Sequence, residues 1–451
     1  MNDREKADAV YAALLDRAGE RWVQPRIDRT QRVLDLLDDP QRTYRVVHIT
    51  GTNGKTSTAR VVDALVRAHG LRTGVFTSPH LERFTERILI DGEPIDDAAV
   101  VSAWEEITPF VGMIDAELES DGQDPLTFFE LLTVLAFVAF ADAPVDVAVI
   151  EVGMGGSWDS TNTADGDVAV VAPVGIDHAD RLGRTPAEIA TVKAGIIKNG
   201  ALVVSARQEP EVEAVLRATA NERGARIAFE GRDFGLTDAR LAVGGQQLTV
   251  QGLAGRYDEA YLPVYGSHQG RNAALAIAAV EMLLGAGERA IAPEVLTEAL
   301  TVVSTPGRLQ LLGTDPTVLV DAAHNPHGAA ALATALRESF AFEEWGLVLG
   351  VLGDKDAAGI VTALAPVATR VFVTAPDSER AGDPDALADL VEAVGLDVTV
   401  HGDLAAASEE ARAWAGESSQ RAVVVAGSVV LAGEAIALSV EEGWKSGAVD
   451  D

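Results

Sequence analysis

Apolar positions along the chain follow two rhythms. Near-continuous runs such as VVHIT (46–50), VDVAVIEV (145–152), DVAVVAPV (167–174) and ALVVSA (201–206) alternate with stretches spaced as helices. RTGVFTSP (72–79) predicts a short strand, and LTFFELLTVLAFVAFADA (126–143) a buried helix that stops before Pro144. Apolar strands separated by helices predict a parallel sheet covered on both faces. The stretch 226–265 changes character. Its Gly, Thr and alternating residues predict a small antiparallel insertion, after which GRNAALAIAAVEMLLGAG (270–287) returns to helix.

A second cycle starts near residue 304. TVLVDAA, GLVLGVL, RVFVTAP, DVTVHG and RAVVVAG alternate with helical stretches, enough for one doubly wound domain. STPGRL (304–309) has the Pro and Gly of a linker. The expected fold is α/β. Residues 1–303 are expected to form a domain on a mostly parallel sheet, and residues 304–451 a smaller Rossmann-like domain.

Composition narrows the function. The 451 residues suit two or three domains. No apolar run reaches the ~18–20 residues of a membrane span, and the charged N-terminus lacks a signal core, so a cytoplasmic protein is expected. The chain has no cysteine, which removes disulfides, thiolate metal sites and a Cys nucleophile. Net charge is −33, and only six of the 36 basic residues are lysine. Such a field repels nucleic acid and anionic membranes, and small-molecule partners and a monomer are expected. An anion such as ATP needs a site built locally.

GTNGKTS (51–57) supplies one. The strict phosphate-loop pattern needs Gly six residues before the lysine, where Ile49 stands. The physics survives the mismatch. Gly51 and Gly54 permit tight positive-φ backbone, so N–H groups from Gly51, Thr52, Asn53 and Gly54 can converge on an anion at a helix N-terminus. Lys55 adds a mobile charge, and the Thr56 and Ser57 hydroxyls can reach a phosphate oxygen or a metal. Glu151 ends an apolar strand where an open α/β sheet binds ligands, and its carboxylate suits magnesium beside a triphosphate. On its own, His178 reads as a loop histidine, Lys193 as a lysine snorkelling to water from an apolar helix, and Lys198 as a surface lysine on that same helix. Thr127, Phe128 and Phe129 fit two descriptions equally: the capped first turn of a buried helix, or a wall on which a flat ring stacks.

GTNGKT together with TSPHLERFTERI (77–88), EVGMGGSWDSTN (151–162), GIDHADRLG (175–183), IATVKAGIIK (189–198), HQGRNAALA (268–276), STPGRLQ, DAAHNPHGA (321–329), VLGDKD (351–356) and VVAGSVVLAGEA (424–435) resembles the folylpolyglutamate synthase and dihydrofolate synthase family of Mur-ligase-like amide ligases. The resemblance covers nearly the whole chain. It implies that Ser78, Glu151 and His178 carry Mg2+, that Lys193 is carbamylated and adds a magnesium ligand, and that Asn272, Arg308 and Asp321 contact ATP. It further implies that His324 works near the transferred phosphate, that Ser428 faces the incoming glutamate, and that a folate pterin lies on Thr127–Phe129. One departure stands out: the family loop carries arginine where this chain has Ser157, which removes a positive charge.

The expected chemistry is phosphoryl transfer from ATP to the folate γ-carboxylate, then attack by the glutamate amine on the acyl phosphate. No enzyme nucleophile is needed. Dihydropteroate is an alternative acceptor on the same machinery. A P-loop regulatory ATPase that makes no amide is the alternative of another class.

Overall fold

The computed structural model describes residues 1–18 and 26–444. Its first sheet has eight strands: β1 (Arg45–Thr50), β2 (Thr73–Phe76), β3 (Ile88–Ile90), β4 (Glu93–Pro94), β5 (Val147–Glu151), β6 (Val168–Val171), β7 (Leu202–Ser205) and β8 (Arg226–Phe229). They lie in the order β4-β3-β2-β5-β1-β6-β7-β8. Neighbours from β2 to β8 are parallel, and only β3 and β4 run antiparallel at one edge.

Both faces are covered, as the continuous apolar strands require. One face packs on helices Lys55–Ala68 and Ser267–Gly285, the other on helix Phe128–Asp142. β1 lies between β5 and β6, so the strand order diverges there, at the point where such sheets leave a crevice beyond their C-terminal ends.

The antiparallel insertion is shorter than the composition suggested. β8 pairs in parallel with β7 and completes the main sheet. Only β9 (Gly235–Ala242), β10 (Gly245–Gln251) and β11 (Arg256–Leu262) form the separate antiparallel sheet. Four residues cannot announce by periodicity which sheet they join.

The remaining sheet comprises β12 (Gln310–Thr314), β13 (Thr317–Val320), β14 (Glu344–Leu349), β15 (Ala368–Val373), β16 (Asp397–Val400) and β17 (Arg421–Ala426), in the order β12-β13-β17-β14-β15-β16. Five strands are parallel. β12, which the sequence pattern did not single out, pairs antiparallel with β13 at the edge. Helix Val429–Glu441 presses this half onto the first: a Cβ at Gly433 would lie 2.1 Å from the Leu81 carbonyl oxygen.

Among the described residues no helix is long and apolar enough to cross a membrane.

Candidate active site

β1 ends at Thr50, and the chain turns through Gly51–Gly54 into helix Lys55–Ala68. Gly54 is the N-cap at φ +84, and a Cβ there would sit 2.6 Å from Asn272 Oδ1. That one position needs both a left-handed backbone and no side chain. It also places Asn272 of the buried helix Ser267–Gly285 beside the loop. The uncapped N–H groups of the helix point into the crevice.

Glu151, at the end of neighbouring β5, is buried and accepts from Thr56 Oγ1 at 2.8 Å. Lys55 Nζ stands 3.8 Å from its other oxygen. Burial raises this carboxyl above the usual range, while Lys55, Thr56, Arg308 and the Ser78 backbone N–H oppose the rise. Thus Glu151, Ser78, Lys55, Thr56 and Arg308 surround one point. Among the described residues there is no group of three or more His, Cys, Asp or Glu side chains able to hold a metal. A metal here therefore depends on oxygens from Glu151, hydroxyls, water and phosphates, which is how magnesium is usually held beside a nucleotide.

Lys193 does not snorkel. It is 4% exposed, and its Nζ donates to the Gly51 carbonyl at 2.8 Å. Burial and then the nearby Lys55 lower its amine to about 7. Helix Pro186–Lys193 ends on this residue, and Lys198 lies beyond it, half-buried, donating to the Asn162 carbonyl at 2.7 Å. Neither lysine is of the surface type that local composition suggested.

His178 is half-buried, follows Asp177 and caps a short helix at φ +49. Burial lowers its imidazole, with Lys355, Lys55 and Lys193 adding to the effect against Asp177. At neutral pH it is an uncharged ring, able to offer a nitrogen lone pair.

The second domain closes the crevice. Asp321, after β13, is buried and accepts from the Leu309 and Ala323 N–H groups at 3.0 and 2.9 Å. Burial raises its carboxyl, and Arg308 opposes. His324, two residues past Ala322, meets that residue's carbonyl at 2.9 Å, and burial then Lys355 lower it to about 4. Asn325 caps helix Pro326–Ser339 and exchanges amide hydrogen bonds with Asn53 of the phosphate loop at 3.2 and 3.1 Å. Asn53 also meets His327 Nδ1 at 2.8 Å.

Two residues missed by the sequence reading join the domains: Lys355 Nζ lies 3.2 Å from Asp177 Oδ1, with both side chains largely buried. Burial alone would raise Asp177, but His178, Lys355 and His324 outweigh it and hold it at about 2. VLGDKD and GIDHAD contained the signal, since a lysine is rare in this chain, but its partner could not be read locally.

Other assignments fare differently. Thr127 is the N-cap of helix Phe128–Asp142 in a capping box with Glu130. Phe128 is 2% exposed, beneath Tyr11 and the Arg87 guanidinium, so its ring has no open face for stacking. Phe129 is the less buried ring, lying against Gly153. Ser428 is fully buried as the N-cap of helix Val429–Glu441, its Oγ accepting from Leu431 N at 2.9 Å. Ser157 is exposed and packs against Gly195, two residues past Lys193. Its neighbour Asp159 is buried and ties the Met154 and Thr161 N–H groups together.

Known proteins share the sequence and the fold. Residues 49–280 match the Mur ligase middle domain, and residues 307–429 the Mur ligase glutamate ligase domain. The chain is 45% identical over 447 residues to the dihydrofolate synthase/folylpolyglutamate synthase of Mycobacterium tuberculosis H37Rv, covering 92% of this chain and 91% of that one. It is 38% identical over 368 residues to the folylpolyglutamate synthase of Lacticaseibacillus casei, covering 79% and 84%. The crystal structure of M. tuberculosis folylpolyglutamate synthase complexed with ADP and AMPPCP superimposes with a TM-score of 0.92, at 44% identity, covering 97% and 99%. E. coli FolC in complex with DHPP and ADP gives 0.83 at 27% identity, covering 97% and 98%.

Proposed function

Because the chain belongs to the folylpolyglutamate synthase/dihydrofolate synthase family of Mur-type ligases, we propose that this crevice performs the family's ATP-dependent amide synthesis with the residues assembled above. The reaction adds L-glutamate to the γ-carboxylate of a folate and yields ADP and phosphate. One observation carries the assignment of residues. The phosphate loop with Lys55, Thr56 and Glu151 from one domain faces Arg308, Asp321 and His324 from the other.

A carboxylate resists nucleophiles because its charge is delocalised. Attack of its oxygen on the γ-phosphorus breaks the bond to ADP and forms an acyl phosphate. Lys55, Arg308 and the helix N-terminus neutralise the charge that develops. The glutamate amine then attacks the acyl carbon, phosphate leaves, and the amine gives up a proton to a neutral base. His324 stands uncharged beside the crevice and can receive that proton only in passing, since burial holds it at about 4 and makes it a weak base. The inter-domain pairs Asn53–Asn325 and Asp177–Lys355 hold the crevice shut against water while the acyl phosphate exists.

Magnesium, when bound, would neutralise the triphosphate, and Glu151, Thr56, Ser78 and His178 would hold it. The buried Lys193 amine fits carbamylation: its neutral form attacks carbon dioxide, releases a proton and would become a carbamate anion in place of a cation. Asn272 contacts the nucleotide through the loop and Phe129 borders the folate, whereas the Ser428 hydroxyl, buried as a helix N-cap, holds its helix in place and does not meet glutamate. The enzyme acts as a cytoplasmic monomer.

Dihydropteroate is a second acceptor to consider, because several relatives carry both activities in their names. The test feeds purified protein ATP, magnesium and glutamate with tetrahydrofolate or dihydropteroate, and reads products by mass spectrometry. Glutamylated folate is expected, with Lys55→Ala as the inactive control. Phosphate release that ignores folate and glutamate would instead mark a regulatory ATPase.

A further inference from the structure

Arg60 lies one helical turn past Thr56 and faces the same cleft, which Ser57, His80, Glu86, Arg308 and Val429 also line. Its guanidinium has no hydrogen bond or ion pair among the described residues, although it sits near Glu86, Glu151 and Asp63. Glu86 cannot satisfy it. That carboxylate already accepts from the Leu81, Glu82 and Arg83 N–H groups at 2.9, 3.1 and 2.8 Å. Asp63 is likewise committed to Arg67 and Thr73, and Glu151 to Thr56. A second donor in the cleft wall has no partner either: the buried Thr305 hydroxyl. A half-buried guanidinium with five donors on a cleft wall, and no acceptor from the described residues, is free to exchange its water for an arriving anion.

What arrives must be an anion close to the phosphoryl-transfer point. The helix rises about 6 Å over the four residues from Thr56 to Arg60. The two carboxyl carbons of an extended glutamyl group stand about 5 Å apart, four C–C bonds of roughly 1.5 Å. With the γ-carboxylate beside Lys55 and Thr56, the α-carboxylate of the same residue falls at the level of Arg60. We propose that Arg60, with Thr305, binds the unreacting α-carboxylate of the acceptor's terminal glutamate, so that this site selects glutamylated folates over an acceptor with a single aromatic carboxylate. This rests on the ligase reading above. Arg60 touches substrate without touching the reacting atoms; it positions the γ-carboxylate through the other end of the glutamyl group. A planar fork suits a carboxylate better than an ammonium does.

The experiment measures binding of folate and of pteroate, which lacks the glutamyl group, by calorimetry with a non-hydrolysable ATP analogue and magnesium. Wild type and Arg60→Met are compared, with Arg60→Lys as the conservative variant and the free-glutamate KM as a second readout. Wild type should favour folate, Arg60→Met should weaken folate at least about tenfold while leaving pteroate nearly unchanged, and Arg60→Lys should recover part of the loss. Equal loss on both compounds would overturn the proposal, as would loss confined to the ATP analogue. So would a raised glutamate KM with folate binding intact, which would assign Arg60 to the incoming amino acid. Wild-type protein that binds neither compound would overturn the ligase reading itself, an outcome distinct from any effect of the variants.

Discussion

Lys193 donates a hydrogen bond to the carbonyl of Gly51, so the one buried lysine among the described residues is tied to the first residue of the phosphate loop. Only the neutral amine attacks carbon dioxide. With its value at about 7, the reactive fraction rises with pH through neutrality. Carbamate, read by NMR with labelled carbon dioxide, should therefore increase from pH 6 to 8 at fixed dissolved CO2. Activity should drop in CO2-depleted buffer and return with bicarbonate. Lys193→Ala should lose about a hundredfold in kcat or more. A flat response to carbon dioxide would count against the modification.

The same residue makes a stability prediction. In the unfolded chain the lysine titrates near its ordinary 10.5, so between about 7 and 10.5 the unfolded state holds a proton that the folded state lacks. Stability without carbon dioxide should thus rise with pH across that window, and Lys193→Met should flatten the slope. Denaturant melts at pH 7 and 9 supply the measurement.

Glu151→Gln keeps the shape and the Thr56 contact but removes the charge facing Lys55. The expected result is a fall in kcat of about 10²–10³-fold and a higher magnesium requirement, with the fold intact. A magnesium titration of the rate checks it, and an unchanged midpoint contradicts the assignment.

Asp177 and Lys355 should behave as a unit across the domain junction. Removing either leaves the other charge buried, at a cost of about 3 kcal/mol. The double variant Asp177→Asn, Lys355→Met should therefore be less impaired than the sum of the single variants. At neutral pH His178 is uncharged, so Lys355 is the cation that pairs with Asp177. The depressed carboxyl contributes stability above the ordinary aspartate value of 3.8, lost as pH falls through about 2. Acid melts of wild type against Asp177→Asn should converge only in that range.

Ser157→Arg would place a positive charge at an exposed position beside Gly195, where the resemblance implies one. Stability should change by less than about 0.5 kcal/mol. Folate affinity should rise several-fold, about what a screened charge-assisted contact gives. Equal or weaker affinity shows that this chain has compensated elsewhere.

The sequence by itself determined the two α/β cycles, the phosphate loop and the family. Those signals are local: β-branched runs form strands, Gly51 and Gly54 punctuate a strand-to-helix turn, and Glu151 ends its strand whatever surrounds it. The tertiary structure decided everything that depends on neighbours from elsewhere in the chain. Arg226–Phe229 joined the main sheet because β7 lay open beside it. Phe128 went into the core while Phe129 stayed less buried, one helical step away. Lys193 changed from an apparent surface cation to a buried amine through a carbonyl 142 residues distant, and Lys355 found Asp177 across 178. Periodicity records which way a side chain points. Its charge state depends on how much solvent the fold removes and which partner the fold supplies, and neither is written in the adjacent residues.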